Sequence, residues 1–257
     1  LHANNSQKRG PYFCVVKKFF SIPLLFLCVF GRGQQVQESG WLASFNTIRL
    51  SAKTSLHAEL QLRSTSNFAA VQTILPRIGI NWMVGKNKIL TAGYAYIPNR
   101  VTVQGKSGLL AEHRFWQQLI INQSLSKRIG IQHRFRLEER FIPEGAVENG
   151  ELQKQGSFFN ARLRYFLRSI VPLKKGPGAF GKGMFAALQN EIFCNIANLD
   201  KVNGYVFDQN RAYVAIGYRI SPKMDIETGY MNQYTKRKTS QPNTVNHILQ
   251  LAFYTRL

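Results

Sequence analysis

EHRFWQQLIINQSLSKRIGIQHRFRLEERF, residues Glu112 to Phe141, decides how this chain folds. It reads as two long strands joined by a polar turn at Ser124-Leu125-Ser126-Lys127. In the second strand Ile129, Ile131, Phe135, Leu137 and Phe141 fall on one face. Gln132, Arg134, Arg136, Glu138 and Arg140 fall on the other. Period-two alternation marks a strand, because successive side chains leave a pleated backbone on opposite sides. Ordinary strands have roughly 5–6 residues. Strands of about 9–11 residues, apolar on one face and charged on the other, suit a barrel that crosses a membrane.

The same rhythm extends in both directions. Upstream, strands are expected at Trp41–Leu50, around Leu56–Arg63, across 68–84 and at Ile89–Ile97. Pro76 marks a bulge or the true start of the third, because proline cannot donate to a ladder. Residues 98–110 and 142–156 read as polar loops. Downstream, Phe159, Ala161, Leu163, Tyr165 and Leu167 oppose Asn160, Arg162, Arg164 and Arg168. After a Gly/Pro/Lys turn at 172–183, strands are expected at Met184–Asn195, around Arg211–Ile220, at Met224–Tyr234 and from His247 to Leu257. A basic loop, 235–243, precedes the last. The pattern predicts an all-β fold, an antiparallel up-and-down transmembrane β-barrel. Eleven strands can be counted, whereas single-chain bacterial barrels usually have an even number. The expectation is therefore ten to twelve, with Gln34–Gly40 the place where a strand is missing or a segment pairs. Closure would remove the sheet edges that hydrocarbon cannot tolerate.

Residues 17–34 read as a secretory signal peptide. Lys17 and Lys18 precede the apolar run FFSIPLLFLCVF, and Gly31-Arg32-Gly33 supplies small residues for cleavage. Residues 1–33 are thus expected to be an upstream extension plus leader, and 34–257 the barrel. Because 1–16 have no role in that scheme, translation is expected to start at Val16 or Val15. Two of the three cysteines, Cys14 and Cys28, fall in this segment. Cys194 alone would remain, which excludes an intrachain disulfide. No run of 18 or more apolar residues marks a transmembrane helix.

At the central hairpin the chain resembles a family of uncharacterised outer-membrane proteins of Bacteroidota, known only as a domain of unknown function (number twenty-four-ninety). The residues that carry the resemblance are Glu112–Gln118, His133–Phe141, Arg162–Tyr165, Asn190–Phe193, Phe207–Arg211 and Gly229–Gln233. It covers roughly Trp41 to the end. It implies an outer-membrane barrel and assigns no reaction, ligand or catalytic residue. The final residue, Leu257, departs from the aromatic terminus common in such barrels.

Lys plus Arg number 34 against 13 acidic residues, a formal net charge of +21. Such an excess raises nucleic acid as a partner. The arginines, however, recur on one strand face, and Lys236-Arg237-Lys238 lacks interleaved aromatics. A solvated loop touching lipopolysaccharide phosphates suits them better than nucleic acid. The polar phase places Glu112, Arg114, Gln118, Arg134, Arg136, Glu138, Arg140, Arg162, Arg164, Glu191, Arg211, Arg219 and Glu227 inside. Charges in a confined interior must be paired or hydrated. Two arginines two residues apart lie about 7 Å apart on one face, spaced to hold a carboxylate from the next strand. The first reading is a mainly structural interior of Arg–Glu pairs. The alternative is a narrow anion-favouring pore for acidic or phosphorylated solutes, since arginines outnumber glutamates. A second alternative is an outer-membrane lipid-modifying enzyme, for which His113 and His133 are the only paired candidates. No GxSxG elbow, phosphate loop or metal-ligand spacing is present. The reading is thus a non-enzymatic protein of the bacterial outer membrane without cofactors. Its expected partners are membrane lipid, lipopolysaccharide and the barrel-assembly machinery, with an anionic solute added on the pore alternative.

Overall fold

A computed structural model of the protein describes residues 34–126, 128–174 and 178–257. The expected leader, Cys14, Cys28 and the turn residue Lys127 lie outside the described residues. The rest forms a closed barrel of eleven strands, each hydrogen-bonded to its sequence neighbour. They are β1 (Gln35–Arg49), β2 (Thr54–Ser64), β3 (Val71–Gly85), β4 (Lys88–Val103), β5 (Lys106–Ser124) and β6 (Gly130–Glu148), followed by β7 (Glu151–Pro172), β8 (Gly183–Asn195), β9 (Phe207–Ser221), β10 (Met224–Thr235) and β11 (Thr244–Arg256).

The odd count is resolved at the seam. β1 and β11 run parallel, in register from Gln35↔Thr244 to Thr47↔Arg256, while every other pair is antiparallel. Gln35–Gly40 therefore extends β1 rather than forming another strand. Backbone bonds between Arg49 and Leu257 and between Leu257 and Thr47 fasten the end of the seam.

Two expected loops are corrected. Residues 98–110 and most of 142–156 continue the ladders outward. Val103 pairs with Lys106 and Glu148 with Glu151. The reversals are only two residues long, Gln104-Gly105 and Asn149-Gly150, and all four residues have positive φ. That backbone matches the right-handed twist of the strands on either side. Pro76 is neither a bulge nor a strand start. It sits opposite Leu60 in the β2–β3 ladder, which is continuous from Thr54↔Trp82 to Arg63↔Thr73 and shifts register only beyond that. The β3–β4 ladder skips from Thr73↔Asn99 to Arg77↔Ala95 without a change of register. Pro76 and Pro98 lie in that gap, where both lack the donor a ladder needs.

The alternation sorts side chains into an apolar exterior and a mostly polar interior. Phe135, Leu163, Val214, Ile216 and Leu249 stand exposed on the outer wall, whereas Arg136, Glu138, Glu191 and Glu227 are buried within it. The lumen has two parts. One is apolar, built from Trp41, Phe185, Tyr213, Met231 and Ile248 on the strands near the seam. The other is charged and centred on β5, β6 and β7. Trp116, with no exposed surface, packs behind the charged part in a hollow made by two glycines. A Cβ on Gly93 would lie 2.2 Å from the Ile78 carbonyl oxygen and 2.6 Å from the Trp116 ring.

Gly93→Ala should therefore destabilise the folded barrel by about 1–3 kcal/mol, as overpacking does. Gly156→Ala, whose nearest neighbour is 3.6 Å away, should be close to neutral. Urea midpoints of the detergent-folded protein compare the two, and equal midpoints would contradict the packing described.

Candidate functional site: the charged interior

Glu138 has no exposed surface. β6 aims it at the lumen, and arginines reach it from three other strands. From β7, Arg162 donates to Oε2 through Nη2 at 2.7 Å and Nε at 3.1 Å, and Arg164 donates to Oε1. From β5, Arg114 Nη1 is 3.2 Å from Oε2. From β3, across the lumen, Arg77 Nη2 approaches to 3.9 Å. The planar guanidinium fork suits this, because it presents paired donors to a carboxylate.

The network spreads from there. Arg114 also donates to Glu112, which takes two bonds from Arg140 at 2.9 and 3.1 Å. Arg164 also donates to Glu191, as does Arg134 at 2.9 Å, and Arg211 lies 4.0 Å from its second oxygen. Nine of the twelve charged residues picked out by phase thus form one connected chain: Glu112, Arg114, Arg134, Glu138, Arg140, Arg162, Arg164, Glu191 and Arg211. The other three stand apart from it. Glu227 accepts from Arg168 and Tyr254. Arg219 forks onto Asp225, which also accepts from Arg256. Arg136, though central, makes no bond to a carboxylate.

Several members escaped the phase argument. Glu59 binds Arg77 at 2.7 Å, and Asp208 binds Arg162 at 2.8 Å. Arg168 was legible, being in phase with Arg162 and Arg164. Arg77 was not, because it is a lone charge in an apolar strand.

Positive charge exceeds negative inside. Arg63 and Arg211 both stack on one ring system: their guanidinium carbons lie 3.9 and 4.9 Å from the Trp41 ring centre. Their hydrogen-bond partners are amide oxygens, of Gln61 and Gln233 respectively. Stacking on an aromatic face lowers the cost of holding a guanidinium out of water but supplies no counter-charge. A cavity of about 800 Å³ runs among these groups. Thr47, Ser55 and Asn122 line it near one end of the strands, Arg134, Arg136 and Arg164 at mid-length, and Arg63, Thr73 and Asn99 toward the other end.

His113 and His133, the candidates for a lipid-modifying enzyme, which needs a His beside a Ser or carboxylate, are bonded to neither among the described residues. His113 pairs with Phe141 and His133 with Ile121, so the two are far apart along the same ladder. Each instead faces a tyrosine hydroxyl diagonally across to another strand, His113 to Tyr94 at 2.6 Å and His133 to Tyr165 at 2.9 Å. His247 repeats the arrangement with Tyr230. These pairs satisfy polar groups on the outer wall. Among the described residues no cluster of His, Cys, Asp or Glu has the makings of a metal site.

A closed β-barrel with an apolar exterior and an arginine-rich interior is the class of protein defined here. The chain belongs to the family described as Protein of unknown function (DUF2490), whose model matches residues 38–244. An uncharacterized protein of Methylorubrum extorquens is 28% identical over 201 residues, which cover 77% of this chain and 79% of the relative. Among solved structures, that of the NanC porin in a rhombohedral crystal form is similar, with a TM-score of 0.48 and 9% identity. The match covers 85% of this chain and 98% of that one.

Replacing Glu138 with Gln should cost about 3–5 kcal/mol, because it leaves buried guanidinium groups without their shared counter-charge. Denaturant unfolding in detergent or lipid measures this. A loss below 1 kcal/mol would show that the cage around Glu138 carries little of the fold's stability.

Proposed function

We propose that this protein is a barrel of the bacterial outer membrane whose arginine-excess lumen admits small anions and disfavours cations, a narrow anion-favouring pore. One observation carries this reading. The cavity is bordered by Arg63 and Arg136, neither of which has a carboxylate oxygen within 4.0 Å among the described residues, and by Arg211, which reaches Glu191 only at 4.0 Å. Uncompensated positive charge between low-dielectric walls draws anions from solution and repels cations. Closure supports the membrane location, since a barrel leaves no edge unpaired in hydrocarbon. So does the exposed apolar wall, because contiguous apolar surface of this extent is rare on soluble monomers. On this reading the outer wall meets lipid, the basic 236–243 connection meets lipopolysaccharide phosphates, and the assembly machinery inserts the chain.

A second reading, a structural interior that conducts nothing, draws on the complete burial of Glu138 and on the ion pairs that cross the lumen, such as Arg168 to Glu227.

Planar-bilayer recordings under a KCl gradient separate the two. The pore predicts a reversal potential of the sign set by chloride, and a chloride-over-potassium preference that falls by roughly half or more when Arg63 and Arg211 are both changed to Gln. Absence of current from a correctly folded barrel, or a cation-selective current, would refute it.

A further inference from the structure

Arg136 differs from the arginines around it. It is 1% exposed and borders the cavity. Its Nε and Nη2 both donate to one neutral acceptor, Gln118 Oε1, at 2.9 and 2.7 Å. Its Nη1 is buried and has no hydrogen-bond partner. Among the described residues no carboxylate oxygen lies within 4.0 Å of it, although Arg77, Arg134 and Arg164 each bind one.

The surroundings hold this guanidinium in place and enrich its positive field. Gln118 is oriented by a relay, its amide nitrogen donating to Thr91 Oγ1 and that hydroxyl to Asn81 Oδ1. The Trp116 ring lies 4.8 Å from the Arg136 guanidinium and 5.5 Å from that of Arg77. Arg164 is its register partner on β7. The Nε atoms of Arg77 and Arg134, both cavity-lining residues, also lack partners. Three arginines that line the cavity thus each carry a buried N–H donor with no partner. A buried cation left in this condition requires an acceptor that carries negative charge.

We propose that Arg136 is the principal donor of an oxyanion site in the lumen, one that binds a phosphate or carboxylate group through its free Nη1. The oxyanion is a small free solute or the charged end of a larger molecule lodged in the cavity. Chloride is a poorer ligand, because an oxyanion offers several acceptor atoms to a planar fork. The proposal rests on the anion-admitting reading only in that the anion must be able to enter.

The test is thermal unfolding of the folded, detergent-solubilised barrel at constant ionic strength, with chloride replaced stepwise by inorganic phosphate or by acetate. The wild-type midpoint should rise saturably in at least one of the two, and the anion that raises it identifies the class. Arg136→Gln should abolish the rise, yet unfold in chloride no earlier than wild type, because no carboxylate loses its partner. Arg63→Gln should retain the rise. If Arg136→Gln does not fold, Arg136→Lys, which keeps the charge and loses the fork, should need about tenfold more anion for half the effect. No wild-type shift in either anion, a shift that survives in Arg136→Gln, or an unchanged half-point in Arg136→Lys would overturn the site. A barrel that conducts anions without any Arg136-dependent shift refutes the site and leaves the pore standing. Arg136-dependent binding in a barrel that passes no current does the reverse.

Discussion

The fold turns on a carboxylate that water does not reach. Glu138 is neutralised by guanidinium groups from β5 and β7, with Arg77 approaching from β3, so one side chain ties strands that are far apart around the barrel. Stripping charges of water costs several kcal/mol each, and the cost is recovered only where geometry and hydrogen bonding are close to complete. That condition constrains the register of every strand contributing a partner. A one-residue slip of β6 would send Glu138 to the apolar wall and bring Phe135 or Leu137 into the charged lumen.

The same constraint accounts for where charge is left over. Carboxylates are few and each is shared among donors, so some arginines are held by amides and aromatic faces instead. Arg63 on Trp41 and Arg136 beside Trp116 are of this kind. Aromatic stacking keeps these cations in the interior without neutralising them. The lumen is thus rigid where Glu112, Glu138 and Glu191 sit and electrostatically open where they do not. In the pore proposed above, this combination would join a paired interior to an affinity for anions from solution.

Much of this was legible in the sequence because strand faces follow from a local rule. The phases of β5, β6, β7 and β9 can be read without knowing any partner, and they place Arg134, Arg136, Glu138, Arg162 and Arg164 on one side. The hairpin extensions read as loops although they carry a signal. Asn149-Gly150 is a strong reversal signal, masked by the polar residues of strands that run past the apolar wall. The seam was hidden for a different reason. Gln35–Gly40 has no clear alternation, and its partner is β11, some two hundred residues away. The particular ion pairs were equally out of reach. Whether Arg77 meets Glu138, and whether Arg136 meets nothing, depends on how far successive strands are staggered around the barrel, which no single stretch records.

The most direct test is spin-label accessibility in lipid at outward positions of four strands, Phe135, Leu163, Val214 and Leu249, each replaced singly by a labelled cysteine. These side chains are well exposed on the outer wall and take no part in the charged network. Collisions with membrane-dissolved oxygen should dominate at all four, with little access by a water-soluble nickel chelate. Dominant nickel access at these positions would contradict the account, since it would mean that the apolar wall faces water and that the charged interior is the core of some other kind of barrel.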